Sequence, residues 1–149
     1  MGIVIRNGEV VTASERFVAD LRLDGGTITA MGTKLEPKAG DETIDAAGQF
    51  VLPGFIDPHV HMELGFMGTV SADDFEVGTA SGAAGGTTCI IDFCIPAPGE
   101  SMLAALDSWR RKAAKAVCDY SFHMAITSWG DDSADEMRAV MRLIMTGQA

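Results

Sequence analysis

Long apolar runs are missing from this sequence of 149 residues. No stretch reaches the roughly 20 apolar residues needed to cross a bilayer, so no membrane span is expected. Basic residues are scarce: 11 Lys and Arg stand against 21 Asp and Glu, a net charge of −10. Such a surface repels a nucleic-acid backbone and an anionic membrane alike, and neither is expected as a partner. Cysteine is limited to Cys89, Cys94 and Cys118, an odd number with no C-x-x-C pair. That makes a poor disulfide framework and points to a reducing, cytoplasmic home. The start, Met1-Gly2-Ile3-Val4-Ile5-Arg6, offers no apolar core for export, and Arg6 stands where an N-myristoylation signal has Ser or Thr. What the sequence does have is 47% hydrophobic residues, enough for a real core.

The first fifty residues read as short strands separated by glycine turns: Ile3–Ile5, Val10–Thr12, Ala19–Leu23 and Ile28–Met31, with Asn7-Gly8 and Asp24-Gly25-Gly26 between them. Asn-Gly and Asp-Gly tolerate positive φ and are hairpin signals, so a small antiparallel β unit is expected. Two more strands, Glu42–Asp45 and Gln49–Leu52, lead to Pro53-Gly54, and from there strand and helix alternate. Ser71-Ala72-Asp73-Asp74 reads as a capping box for a helix ending near Gly85-Gly86. Thr87–Phe93 is a continuous β-branched, apolar run suited to a buried parallel strand. Met102, Leu106, Trp109 and Ala113 recur at helical spacing, with Arg110, Arg111, Lys112 and Lys115 read as the solvated face. Asp119–Thr127 alternates as a strand, and Ser133-Ala134-Asp135-Glu136 reads as a second capping box leading a helix through Met137, Val140, Met141 and Ile144.

The expected architecture is therefore α/β. Residues 1–52 form a small β-sandwich portion, and residues 53–149 form the first three β/α units of a TIM-type (β/α)8 barrel. A closed barrel needs about 250 residues, so these units are fewer than half of one. The tail Met145-Thr146-Gly147-Gln148-Ala149 has no strand character, and a truncated, frameshifted or deliberately partial chain is expected. An open three-strand sheet would leave an unpaired edge and an uncovered face.

The sharpest chemical signal is Asp57-Pro58-His59-Val60-His61 at the end of an apolar strand. Alternate strand positions share a side, so His59 and His61 present two imidazoles to one point, with Asp57 on the same face. Two neutral imidazoles make half a site for zinc or a similar divalent ion. The carboxyl end of a barrel strand is also where barrel enzymes keep their catalytic groups. Asp57 and, at the end of the next strand, Asp92 are candidates to support a ligand histidine from behind, with Asp92 alternatively capping the following turn. Leu64, Phe66 and Met67 either cover a substrate pocket or pack their loop on the rim. Cys94 reads as a small buried hydrophobe that could in principle touch metal.

Pro53-Gly54, the Asp57-x-His-x-His strand and the preceding β unit resemble the opening of the amidohydrolase superfamily. Thr69-Val70-Ser71-Ala72-Asp73-Asp74-Phe75, Gly78-Thr79, Gly85-Gly86-Thr87-Thr88 and Ile91-Asp92-Phe93-Cys94 resemble its dihydropyrimidinase and D-hydantoinase branch, across essentially the whole chain. Glu63 stands where dihydroorotases usually have an arginine for the substrate carboxylate. The resemblance implies a homotetrameric hydrolase that opens cyclic ureide or imide rings, with two divalent metals, zinc first among them, in each complete subunit. It assigns His59 and His61 as ligands and the loops at Met62–Val70 and Cys94–Pro98 to the substrate pocket. The family's bridging lysine, remaining ligands and catalytic aspartate belong to later strands. Lys115 falls on a surface helix and His123 reads as a packed or partly buried histidine, so no general base is named and the chain is expected to be inactive alone. Alternatives are an allantoinase-like hydrolase and a non-catalytic dihydropyrimidinase-related scaffold.

Overall fold

The computed structural model describes residues 2–146, so Gly147-Gln148-Ala149 of the tail discussed above lies outside the described residues. The chain divides into two compact units, Met1–Pro53 and Gly54–Ala149.

The first unit contains β1 (Ile3–Val11), β2 (Arg16–Asp24), β3 (Thr27–Gly32), β4 (Glu42–Asp45) and β5 (Phe50–Val51). Among the described residues they make one sheet in the order β3-β2-β1-β4, with β5 also on β1. The sheet is mixed: β1–β2 and β2–β3 are antiparallel, whereas β4 and β5 lie parallel to β1, one after the other along it. The expected sandwich portion is thus a single layer, and its expected antiparallel pairing is only partial.

Asn7-Gly8 does not turn the chain. It is a bulge inside one continuous strand: Ile5 pairs with Leu21 and Gly8 with Ala19, one residue more on β1 than on β2. Asn7 takes a φ of 61°, its N–H donates to Asp20 Oδ1 at 2.8 Å, and its side-chain amide donates to Asp45 Oδ1 at 2.9 Å. A residue that tolerates positive φ serves a bulge as readily as a hairpin, and the partners of Asn7 decide the matter. The true β1–β2 connection is made at Thr12, whose Oγ1 accepts from the N–H groups of Ser14 and Glu15. Buried Val10, Ala19 and Leu21 form the unit's small core.

The second unit runs β6 (Phe55–Val60), β7 (Gly65–Phe66), β8 (Thr69–Val70), α1 (Phe75–Ala84), β9 (Thr87–Cys94), α2 (Met102–Ala113), β10 (Asp119–Met124) and α3 (Ser133–Thr146). Strands β10, β9 and β6 form a parallel sheet in that order, and β7–β8 is a separate hairpin. Its turn uses Met67 (φ 49°) and Gly68 (φ 78°). The three strand–helix alternations match the apolar patterning. Ile90 and Cys94 of β9, Phe122 of β10, Leu106 and Trp109 of α2 and Val140 of α3 share one buried core. Met141, counted on the apolar stripe of α3, is instead 55% exposed.

Both helix starts differ from the capping boxes read in the sequence. The cap of α1 is Asp74, whose carboxylate accepts from the Val77 N–H at 2.8 Å, while Ser71 Oγ accepts from Leu64 in the hairpin. At α3, Ser133 Oγ accepts from Gly130, and the Glu136 carboxylate accepts from the Met102 N–H at the start of α2. Each side chain satisfies a neighbouring segment, a choice that local spacing does not reveal. Ser101 caps α2 through the Ala104 N–H. The basic residues of α2 are also more than a solvated face: Arg110 donates to the Leu143 carbonyl, and Lys112 donates to the Glu63 carbonyl while lying over the Trp109 ring.

Candidate functional site

The strand that carries the histidine pair enters the sheet through Gly54, where an added Cβ would overlap the Thr88 side chain. Phe55 N–H then donates to the Gly86 carbonyl at 2.9 Å, and β6 pairs Asp57 with Ile90 and Val60 with Asp92 on β9. Between those two pairs the register shifts, so Pro58 and His59 fall in an irregular stretch of the ladder. His61 follows the last residue of β6.

His59 and His61 are both exposed, and their rings meet edge-on with centroids 5.2 Å apart. Both rest on Phe93, at 4.6 and 5.2 Å. The fold thus brings the pair together as its spacing implies. Asp57 is turned to the backbone, with Oδ1 accepting from the His59 N–H at 3.1 Å, so it acts on His59 through the main chain and not through the ring. Among the described residues no group of three or more His, Cys, Asp or Glu side chains converges to hold a metal ion. The donor set fits a divalent metal as far as two imidazole nitrogens go.

Asp92 is 1% exposed. Its Oδ2 accepts from the Met62 N–H at 2.7 Å and its Oδ1 from the Trp109 indole at 3.1 Å. Burial pushes this carboxyl above the usual range, against the pull of those two donors and of nearby His61. The support it gives is to the main chain directly after His61.

The segment following the pair is held tightly. Glu63 has a φ of 48°; its N–H donates to the Asp73 carbonyl, its carbonyl accepts from Lys112, and its carboxylate pairs with Lys115. Lys115 also reaches Asp74 at 2.9 Å and is raised above its usual range by these two partners, Glu63 first. Lys115, read as a surface residue, ties the segment after His61 to the N-cap of α1. An added Cβ on Gly78 of α1 would collide with the Met62 thioether, so that side chain seats directly on the helix.

The expected pocket residues separate. Leu64 is half-buried against the core, whereas Phe66 and Met67 are exposed on the β7–β8 hairpin, Met67 at 87%. Cys94 does not line a loop: it is the last residue of β9, fully buried, with its thiol pushed up to about 12 by burial. Strand alternation places it on the helix-facing side with Ile90 and Asp92. His123, read as packed or partly buried, is exposed, yet its ring lies tilted against Phe93 with centroids 4.7 Å apart and places Nε2 2.9 Å from the Pro58 carbonyl. Its membership of this cluster depends on β10 pairing His123 with Phe93, which no local motif specifies.

No protein-family model matches the chain. Among curated proteins it is 49% identical over 143 residues to dihydropyrimidinase 2 of Caenorhabditis briggsae, covering 95% of this chain and 28% of that protein. It is 47% identical over 139 residues to D-hydantoinase of Geobacillus stearothermophilus, covering 93% and 29% respectively. The solved structure of dihydropyrimidinase from Brevibacillus agri superposes with a TM-score of 0.90 at 45% identity, over 95% of this chain and 31% of that one. The chain spans less than a third of the length of the curated relatives it matches. Its mixed α/β fold resembles the amino-terminal region of D-hydantoinase.

Proposed function

We propose, for a chain that belongs along its own length with the dihydropyrimidinases and D-hydantoinases, that it is the opening portion of a metal-dependent hydrolase of cyclic amides, with His59 and His61 as its share of the ligands. The observation that carries this reading is the pair itself: two exposed imidazoles, 5.2 Å apart, at the carboxyl end of a parallel strand. In this reading the three β/α units open a (β/α)8 barrel, and the bound ion is zinc or a similar divalent cation, two per complete subunit. Such an ion, when bound, polarises the ring carbonyl and acidifies a water for attack on the ring amide. The chain's own part is to present two nitrogen donors against the Phe93 ring. It also sets the exposed Phe66 and Met67 of the hairpin at the edge of a pocket for a cyclic ureide or imide. The remaining ligands and the general base lie in residues outside this chain, which by itself turns nothing over. A cytoplasmic homotetramer completes the proposal.

The test is a chimera in which the remainder of the G. stearothermophilus D-hydantoinase follows this chain, assayed with hydantoin and dihydrouracil beside the chain alone. Ring opening by the chimera, lost in its His59→Ala variant and absent from the chain alone, is the expected result. Turnover by the chain alone would refute the incomplete site. A fully active His59→Ala chimera would remove His59 from the ligand set.

A further inference from the structure

Within β6 the ladder with β9 loses its register at Pro58 and His59, between Asp57 and Val60, and His61 follows directly after the strand ends. Regular partners stop at Asp57–Ile90 and resume at Val60–Asp92, and Pro58 has no N–H to contribute. Something other than the sheet must then hold the main chain there. Two side chains from other strands do so. Ahead of the pair, the Pro58 carbonyl lies 2.9 Å from Nε2 of His123, 65 residues away on β10. A carbonyl only accepts, so Nε2 carries the proton. Behind the pair, the Met62 N–H donates at 2.7 Å to Oδ2 of Asp92, 30 residues away on β9. Asp92 is fixed in turn by Trp109, and the His123 ring leans on Phe93, the same ring that supports His59 and His61.

We propose that His123 and Asp92 are positioning residues that clamp the main chain at Pro58 and Met62, so that His59 and His61 converge on one cation without relying on the sheet ladder. Ligand side chains must be held within a fraction of an ångström to bind metal well, and partners that orient them contribute strongly to affinity. The metal role rests on the ligand reading above; the clamp itself is a property of the metal-free chain.

The deciding experiment is amide hydrogen exchange at His59 and Val60 in the metal-free chain, with Ile90 and Leu106 as core references. His123→Phe keeps a ring against Phe93 and removes the donor; His123→Gln returns an N–H donor without an imidazole. The expected result is exchange about three- to tenfold faster at His59 and Val60 in His123→Phe, the worth of one hydrogen bond. The references stay unchanged and His123→Gln lies near the parent. Unchanged exchange in His123→Phe overturns the proposal. So does equal acceleration in both variants, or acceleration that extends to Ile90 and Leu106, as in a variant that fails to fold.

Zinc titration of the same proteins separates the two readings. Binding that is lost in His59→Ala, about tenfold weaker in His123→Phe and restored in His123→Gln supports both. Absent zinc binding, or binding indifferent to His59→Ala, removes the ligand reading and leaves the clamp to be decided by exchange.

Discussion

The indole N–H of Trp109 on α2 donates to Oδ1 of Asp92 on β9 at 3.1 Å, and this buried bond joins the helix layer to the strand beside the histidine pair. Trp109→Phe retains most of the ring and leaves a buried carboxylate oxygen without its donor. The expected cost is about 1–3 kcal/mol, read as a lower midpoint in urea unfolding. An unchanged midpoint would mean that solvent or a rearranged neighbour replaces the bond.

The two candidate caps of α1 are separable. Asp74→Ala removes the carboxylate that accepts from Val77 and also pairs with Lys115; it should lower helix content and the unfolding midpoint. Ser71→Ala removes the acceptor for Leu64 and should speed exchange of the Leu64 amide while leaving the helix intact. The reverse pattern would restore Ser71 as the cap.

Asp20 predicts an acid response. The Asn7 N–H holds its carboxyl below the usual range, burial opposes this, and the Leu35 N–H and nearby Arg6 add to the depression. A folded-state pKa below the unfolded value of about 3.9 gives stability that is present in full above that value and lost as pH falls through the folded one. Unfolding midpoints should therefore drop below about pH 4, and Asp20→Asn should flatten that drop. An Asp20→Asn variant with the parent's full acid sensitivity would contradict the assignment.

Gly54→Ala places a methyl against the Thr88 side chain. Overpacking of this kind costs about 1–3 kcal/mol, and thermal unfolding of the variant should show it. A variant as stable as the parent would mean that Thr88 moves aside freely.

Cys94 should be silent toward thiol reagents in the native chain. It is fully buried with its thiol pushed up to about 12, whereas Cys89 and Cys118 are half-buried. Labelling at pH 8 followed by peptide mapping should find Cys94 modified only after denaturation. Native labelling of Cys94 would return it to the accessible loop.

Much of the second unit was written in local pattern. The 3.6-residue recurrence of Met102, Leu106, Trp109 and Ala113 buries one face of α2, the β-branched run Thr87–Phe93 makes the central strand, and the i, i+2 spacing of His59 and His61 brings both rings onto Phe93. Periodicity and spacing are properties of a short window, so a single sequence carries them. The bulge at Asn7, the actual cap of α1, the partners of Ser133 and Glu136 at the start of α3, the anchoring of Glu63 by Lys112 and Lys115, and the seat of His123 were not legible in that way. Each depends on a partner in another segment: Asp20 and Asp45 for Asn7, Leu64 for Ser71, Met102 for Glu136, and Pro58 for His123. A polar group takes whichever acceptor or donor the packed chain brings within reach, and only strand register and helix docking determine which one that is.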